Sequence, residues 1–494
     1  MSSSEIYDII IIGGGVIGCS IARALCKYEL KICLLEKEAD IAMGTTKANS
    51  GVVHAGYAAE RKFTKRNLCI RGNKLYSEAV KELNFPFKRM GSFVVAFKVE
   101  EIKLLEEIRK RGIEDGILDL ELILEKQRIK RMEPNISDDI IGVLHAPSAG
   151  IVSPYEMTFA LAQNAAMNSV KFFRSQEVIK IDHSDYIFTI TTQRNEFKSL
   201  NVINCAGLYS AKISKMLGLD YFDITPRKGE YVLFDRNTIQ LNKILFPTPT
   251  KISKGILVCP TFHGNAFAGP NAQNITDIED TSTTTAGLKE VLEGAKKIVP
   301  NLPLRASIRN FAGLRAVPST YDFIIDNTDI YGFINVAGIL SPGLTSSYAI
   351  AEKVIDFLEL LGVELKVKED YNPYRPKPER FTDFSKKELD KKIKEDSSWG
   401  RIICRCETIS EKEILNAIQG PIGATTIDGV KFRCRAGMGR CQSGFCRPRV
   451  MEILSREMKL PYQAITKKGD DTNILIAKTK DLLLKEIIKK EIQK

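Results

Sequence analysis

The sequence predicts an α/β fold interrupted by an antiparallel, β-rich insertion and followed by a small helical module. Three observations point there. A strand, a glycine-rich turn, a helix and a second strand succeed one another before residue 37; β-rich stretches then alternate with further strand-and-glycine segments to about residue 362; and five of the 11 cysteines crowd between Cys404 and Cys446. The 494 residues correspond to about three domains at roughly 150 residues each. A composition of 44% hydrophobic and 27% charged residues excludes collagen-like, coiled-coil and disordered chains. The net charge of +11 comes from basic residues interleaved with acids. No long cationic run or recognition motif accompanies it, which argues against nucleic acid as a partner.

The first residues, Met-Ser-Ser-Ser-Glu-Ile-Tyr-Asp, have no basic region ahead of an apolar stretch, and the longest apolar run, Ile9 to Cys19, is short and broken by glycines. This predicts neither a signal peptide nor a membrane span, and hence a cytoplasmic location. In a reducing compartment, clustered cysteines are read as metal ligands or redox groups rather than disulfides.

Tyr7–Ile12 is apolar and β-branched, as a buried strand requires, and Gly13-Gly14-Gly15-Val16-Ile17-Gly18 follows at once. Helical periodicity over Cys19–Lys27 and a strand over Lys31–Leu35, ending at Glu36, complete a βαβ unit. Gly13 permits the tight turn, Gly15 lets the backbone approach a pyrophosphate, and Gly18 allows the helix to pack closely on the sheet. The helix N-terminus offers free N–H groups to phosphate. Glu36 is placed to accept hydrogen bonds from a ribose diol, and its charge disfavours a 2′-phosphate. This fingerprint alone does not choose between FAD and NAD, because both carry adenosine diphosphate.

The next stretch, Gly44-Thr45-Thr46-Lys47-Ala48-Asn49-Ser50-Gly51-Val52-Val53-His54-Ala55-Gly56-Tyr57, is small, polar and glycine-rich, as a backbone wrapping a planar ring must be. Here, and in order at Val202–Gly207, Pro226–Tyr231, Phe311–Arg315 and Phe333–Leu344, the sequence resembles the FAD-dependent oxidoreductases of the D-amino-acid oxidase superfamily. The resemblance runs from Asp8 to about Gly362 and is strongest to glycerol-3-phosphate and L-2-hydroxyglutarate dehydrogenases. It implies a Rossmann-type FAD-binding domain built from residues 1–86, 147–220 and 323–364, with a substrate domain from 87–146 and 221–322. It also implies that Thr45, Ser50, Gly51, Ala206, Gly207, Gly338, Gly343 and Leu344 line the flavin. The helix expected over Thr345–Leu361 would aim its positive end at the flavin pyrimidine edge, where negative charge accumulates on reduction.

Oxidation of a secondary alcohol or amine needs a proton acceptor, an anion clamp and exclusion of water. The chain has four histidines. His183 lies in a charged segment and reads as surface, and His145 carries no motif. His54, in the flavin-contacting stretch, and His263, in Pro260-Thr261-Phe262-His263-Gly264-Asn265, are the two candidates for the base. Arg315 is the candidate clamp, because a guanidinium forks onto a carboxylate or phosphate. Lys228, Tyr57 and Tyr231 are secondary candidates.

Beyond Leu361 the chain turns charged and proline-bearing over Leu365–Ser398, which reads as a linker. A new unit, 399–455, carries Cys404-Arg405-Cys406 and Cys434, then Cys441 and Cys446 within glycine-rich sequence. Two close thiol pairs suit one metal centre. Zinc is one reading, but glycine N–H groups that bond sulfide, with Arg405, Arg435 and Arg440 nearby, favour iron–sulfur. The region resembles the bacterioferritin-associated-ferredoxin-like 2Fe-2S domain, which implies Cys404, Cys406, Cys441 and Cys446 as ligands and leaves Cys434 surplus. In the tail, 456–494, a strand is expected over Asn473–Ala477 and an amphipathic helix from Asp481. That helix is read as packing on its own domain, the alternatives being a partner or a membrane surface.

A flavin joined to a one-electron cluster converts two-electron oxidation into single-electron delivery. The expected function is oxidation of glycerol 3-phosphate, an anionic small molecule, with electrons leaving through the cluster to a further flavoprotein, an acceptor subunit or a quinone. Membrane association would then come through that partner. The alternatives are a 2-hydroxy-acid or amino-acid dehydrogenase, or an electron-relay or redox-sensing subunit with no substrate of its own.

Overall fold

The computed structural model describes residues 5–249 and 255–484. The described residues fall into two compact units: the chain up to Lys37 with Ile41–Lys377, and Glu38–Asp40 with the chain from Pro378 onward. No helix among the described residues is long and apolar enough to cross a membrane.

The first unit holds two large sheets. One is eight-stranded and centred on Ile6–Ile12, with Glu196–Asn204 and Ile32–Leu35 parallel on either side. Lys171–Phe173 extends it beyond Ile32–Leu35, and Phe333–Ala337 runs parallel to the C-terminal half of Glu196–Asn204. An antiparallel hairpin, Val178–Ser184 with Ile187–Thr192, closes one edge. Ile9, Ile10 and Ile11 are fully buried, and this explains an unbroken apolar strand, since helices on the sheet leave it no polar face. The helices Val16–Leu25, Pro154–Met167 and Gly343–Leu360 pack together on it. The first helix begins at Val16, earlier than the Cys19 expected from periodicity, because the glycines that suit a phosphate also belong to its first turn.

The second sheet has nine strands drawn from both inserted segments. It is antiparallel except at one join, where Ile244–Pro247 runs parallel to Ser92–Ala96. That corrects a wholly antiparallel expectation. The joined strands come from separate insertions, so no hairpin dictates their direction. Period-two alternation then divides the strands between two cores. Phe93, Val95, Leu245, Val258 and Ala268 face the helix Thr285–Ile298 through Val291, Ala295 and Ile298. Val94, Ala96, Phe246, Cys259, Phe267 and Tyr231 face the other way, where they pack with Val52, Ala55 and Tyr57. The flavin-type stretch thus lies against one defined face of the inserted sheet.

The second unit is mostly helical. Glu411–Gln419, Ile427–Cys434 and Arg447–Met458 enclose a core around Ile414, Val430 and Leu454. Ser410 and Glu413 form a capping box on the first of these helices, and Thr426 caps the second. Tyr462, Ile465, Ile474 and Leu475 join this core, so this part of the tail packs on its own domain.

Two expectations need correction. Residues 365–398 are not a free linker. Val367 bridges to Tyr28, the Asn372 carbonyl accepts from Asn164 and Asn168, and Lys386–Glu395 is a helix of the second unit with a Ser385/Glu388 capping box. Its composition is too charged to announce a core face; Phe384 and Trp399, edge to face at 5.5 Å, and Ile393 against Gly400 anchor its end. The strand expected over Asn473–Ala477 is reduced to one bridge, Asn473 with Thr466, since Ile476 is almost fully exposed and no partner strand lies alongside among the described residues. The chain is helical over 479–484; the remainder of the amphipathic segment lies outside the described residues.

Candidate functional site

The glycine turn sits at the C-terminal end of the central strand. Gly13 has φ +111°, and a Cβ there would collide with the Cys205 carbonyl; one at Gly18 would collide with the Gly13 carbonyl. Only glycine allows both approaches. Gly15 is the N-cap of Val16–Leu25 and supplies no side chain, which leaves the helix N-terminus open to phosphate. Glu36, at the end of the next strand, accepts a 2.6 Å hydrogen bond from the Gly14 N–H and so lies beside the turn. Ala206 and Gly207 occupy the equivalent end of the neighbouring strand, and the space around Gly207 is open. These groups fit an adenosine diphosphate.

The stretch 44–57 is fixed from three directions. The Thr46 hydroxyl accepts from Val16 N at 3.0 Å, tying the stretch to the first helix. The Thr45 hydroxyl donates to the Leu314 carbonyl at 2.7 Å, and Gly313 passes so close to Ala48 that a Cβ would strike its carbonyl. At the far end, His54 N donates to the Thr345 hydroxyl at 2.9 Å, on the helix Gly343–Leu360. Asn49 folds the stretch on itself, donating to the Thr46 carbonyl and accepting from Gly51 N, both at 2.8 Å. Gly51, at φ +61°, lies against Val152, just before the helix Pro154–Met167. The loop from Gly338, at φ +62°, leads into a helix that starts at Gly343 with no side-chain cap. The Leu344 carbonyl accepts from the Tyr76 hydroxyl at 2.7 Å. Thr46, Asn49 and Thr345 were not singled out by sequence; each acts through a contact distant along the chain or through its own turn.

On the sheet face that meets this stretch, Arg315 lies on Ser307–Pro318, paired in register with Arg227 on Ile224–Phe234. It is mostly buried, and its guanidinium donates to the carbonyls of Asn271 at 2.6 Å and Lys228 at 3.4 Å. Among the described residues no carboxylate pairs with it, and burial lowers its pKa. A desolvated cation held only by carbonyls is a strong anion receptor. Tyr231, stacked on Phe311 at 4.6 Å, lies near Arg315 and hydrogen-bonds the Ser50 side chain. His54 lies over the same face, its ring 5.6 Å from that of Phe246.

His263 occupies the turn between Leu257–Pro260 and Ala266–Gly269, and its Nε2 is 2.6 Å from the Glu156 carboxylate. Glu156 is buried in the first turn of Pro154–Met167. Nothing in the sequence marked it, because its partner is more than a hundred residues away. Lys228 is not available to an anion, since it is buried in an ion pair with Asp280 at 2.7 Å. Tyr57 is a core residue whose hydroxyl contacts Ser92 at 3.4 Å, and burial raises its pKa to about 12. His145 is buried on Gly142–Ala146, away from a motif as expected, while His183 is only half exposed and stacks on Phe188 at 4.2 Å.

In the second unit the thiols of Cys404 and Cys446 are within hydrogen-bonding reach, as are those of Cys406 and Cys441. The two pairs also lie near one another, since Cys406 feels Cys404 and Cys446 feels Cys441. Two pairs is the division a two-iron centre requires, with two protein thiolates to each iron. Backbone N–H groups of Glu407 and Gly437 point to Cys404, and those of Ser443, Gly444 and Phe445 to Cys441. Such donors stabilise thiolate charge. Cys434 is a buried core residue whose thiol donates to the Val430 carbonyl at 3.2 Å, with burial pushing its pKa up to about 12. Arg435 is committed to Glu407 at 2.9 Å and does not offset cluster charge alone.

Residues 8–357 match the FAD dependent oxidoreductase family, and residues 402–456 match the BFD-like [2Fe-2S] binding domain. The chain is 47% identical to a glycerol 3-phosphate dehydrogenase of Caloramator mitchellensis, over 96% of its own length and 99% of that protein. It is 36% identical to a glycerol 3-phosphate oxidase of Mycoplasma genitalium, over 75% of this chain and 98% of that one. The solved structure of the dithionite-reduced L-alpha-glycerophosphate oxidase of Mycoplasma pneumoniae with FAD bound superposes with a TM-score of 0.71 at 31% identity, covering 75% of this chain and 98% of that one. With a family match spanning most of its length and a near full-length relative, this chain belongs to the FAD dependent oxidoreductases, and it carries a C-terminal BFD-like [2Fe-2S] binding domain.

Proposed function

We propose that this protein is a glycerol-3-phosphate dehydrogenase: it oxidises sn-glycerol 3-phosphate to dihydroxyacetone phosphate and delivers the electrons, one at a time, to an acceptor. The observation that carries the reading is Arg315, a mostly buried guanidinium whose described partners are two backbone carbonyls. It lies on the sheet face that meets the 44–57 stretch. The 47% relative supports the substrate. The oxidase match uses 98% of that protein on 75% of this chain, so about a quarter of this chain has no oxidase counterpart, which favours a dehydrogenase.

When bound, FAD would supply a hydride acceptor beside C2 of the substrate, and a 2Fe-2S centre held by the four cysteines would supply one-electron chemistry. The chain's own residues do the rest. Arg315 forks onto the phosphate and sets the substrate's register under the sheet. His54 takes the C2 hydroxyl proton; its backbone is held on one side by the Thr345 hydroxyl and on the other by Asn73, which donates to the His54 carbonyl at 2.8 Å. His263, with Glu156 fixing its Nε2, orients the substrate from the opposite turn. The packed aromatic wall of Tyr231, Phe311 and Phe246 helps keep water away. Cys404, Cys406, Cys441 and Cys446 hold the cluster. Electron delivery to an acceptor protein, in the cytoplasm, completes the reading.

Anaerobic mixing with sn-glycerol 3-phosphate is expected to bleach the flavin absorbance, and L-2-hydroxyglutarate is not. Bleaching by the hydroxy acid alone overturns the substrate assignment, and bleaching by neither supports a relay subunit instead.

A further inference from the structure

Around the cysteines the second unit presents an unusual surface. Phe445, between Gly444 and Cys446, is 85% exposed, the second most exposed large apolar side chain among the described residues after Ile476 at 97%. Arg405, between Cys404 and Cys406, is exposed, as are Arg440 beside Cys441 and Arg449 just after Cys446. Cys406 itself is exposed and Cys441 is half-buried, whereas Cys404 and Cys446 are buried, so one thiol pair reaches solvent within these segments.

Four buried or partly buried acids of this unit have partners of their own. Glu407 is buried against Arg435, Glu411 binds Arg401 and Arg456, Glu413 caps the Ser410 helix, and Asp428 lies near Lys431. No carboxylate among the described residues pairs with Arg405 or Arg449. Arginines close to an anionic cluster offset its charge, but that function gives no reason to hold a phenyl ring in water. An exposed aromatic accompanied by exposed arginines is the composition of a protein interface, in which the ring supplies the anchor and the charges supply steering.

We infer that the exposed residues of the cysteine-bearing segments, Phe445 with Arg405, Arg440 and Arg449, dock an acidic one-electron carrier protein. The inference rests on the reading that electrons leave through the cluster. Each encounter carries out one electron, with the carrier's own redox centre reduced by one, so two encounters clear the two electrons removed from each substrate molecule. The charge fits a carrier that shows carboxylates around its redox centre, and the short span from Phe445 to the thiols keeps the transfer distance small.

The test uses the full-length enzyme loaded with FAD and cluster, kept anaerobic, with an acidic two-cluster bacterial ferredoxin immobilised as the probe. Wild-type enzyme is expected to bind with a Kd that weakens steeply with ionic strength. Arg405→Glu with Arg449→Glu is expected to weaken binding by at least ~10-fold and flatten the salt dependence, and Phe445→Ser to weaken it ~10-fold with the salt slope retained. Iron and sulfide content verifies that each variant keeps its cluster. Binding that is absent in the wild type, indifferent to salt, or unchanged in the variants overturns the docking face. If sn-glycerol 3-phosphate still bleaches the flavin in that case, the proposed reaction stands and only the docking face falls; if it does not, the reaction assignment fails independently.

Discussion

Arg315 and the arginines beside the cysteines carry one chemical group in opposite surroundings. Arg315 is mostly out of water with carbonyls for partners, and burial lowers its pKa. A small anion that fits gains a desolvated, charge-assisted pair there, and one that does not fit leaves the cation stranded. Arg405 and Arg449 stay in water, where a single ion pair is worth little but several charges together steer a large surface. Burial therefore decides whether an arginine selects a small anion or attracts a broad acidic one.

The largest expected effect tests whether these regions are separable. Cys441→Ser is expected to abolish the 2Fe-2S centre, read as iron and acid-labile sulfide, while sn-glycerol 3-phosphate still bleaches the flavin; loss of bleaching along with the iron would break the separation. Next, His54→Ala is expected to slow bleaching by ~10²- to 10⁴-fold, the usual cost of a lost general base, with FAD still bound. His263→Ala or Glu156→Gln should cost far less, about 10-fold, because that pair positions; the reverse order would move the base to His263. Arg315→Met is expected to raise the substrate concentration needed for half-maximal bleaching by roughly 30-fold or more, the effect of truncating a buried charged partner. Arg315→Lys should recover part of this, since it keeps the charge but loses the fork. An Arg315→Met enzyme that saturates normally would remove the buried half of the comparison.

The smallest effect concerns the inserted sheet itself. His145 is buried, its ring edge-on to Phe93 at 5.3 Å and its Nε2 without a hydrogen-bond partner among the described residues. Burial, with Lys243 adding to it, pushes its pKa down to about 4 from 6.5. The folded state holds the neutral ring while the unfolded chain binds a proton more readily. Stability should therefore be complete above about pH 6.5 and fall as the pH drops towards 4. Melting curves between pH 7 and 4.5 should show this slope, and His145→Gln should flatten it.

Much of the site was legible locally. Gly18 answers the Gly13 carbonyl and Glu36 the Gly14 N–H, contacts within the unit that their spacing anticipates, whereas Gly13 also answers the Cys205 carbonyl of a strand far along the chain. The sequence offered Arg315 as the candidate clamp and Lys228 as a secondary one, but neither the backbone carbonyls that hold Arg315 nor the ion pair of Lys228 with Asp280 was legible there. The polar helix Lys386–Glu395 was hidden because its stability comes from caps and a few aromatic contacts rather than from an apolar stripe. Cys434, surplus by sequence, is explained by its hydrogen bond to Val430 within the core.

The sequence by itself determined what depends on near neighbours: the glycine turn, the spacing of the four cysteines, the period-two strands and the order of the family's segments; that Cys404 meets Cys446 and Cys406 meets Cys441 across that spacing was left to the fold. Tertiary structure decided what depends on which distant side chain arrives. Glu156 meets His263, Thr345 holds His54, Ser50 meets Tyr231, and the carbonyls of Lys228 and Asn271 leave Arg315 without a counter-charge. Local preferences act over a turn or two of chain, whereas pairing between buried polar groups is settled only when packing removes water and leaves each group the neighbours the fold supplies.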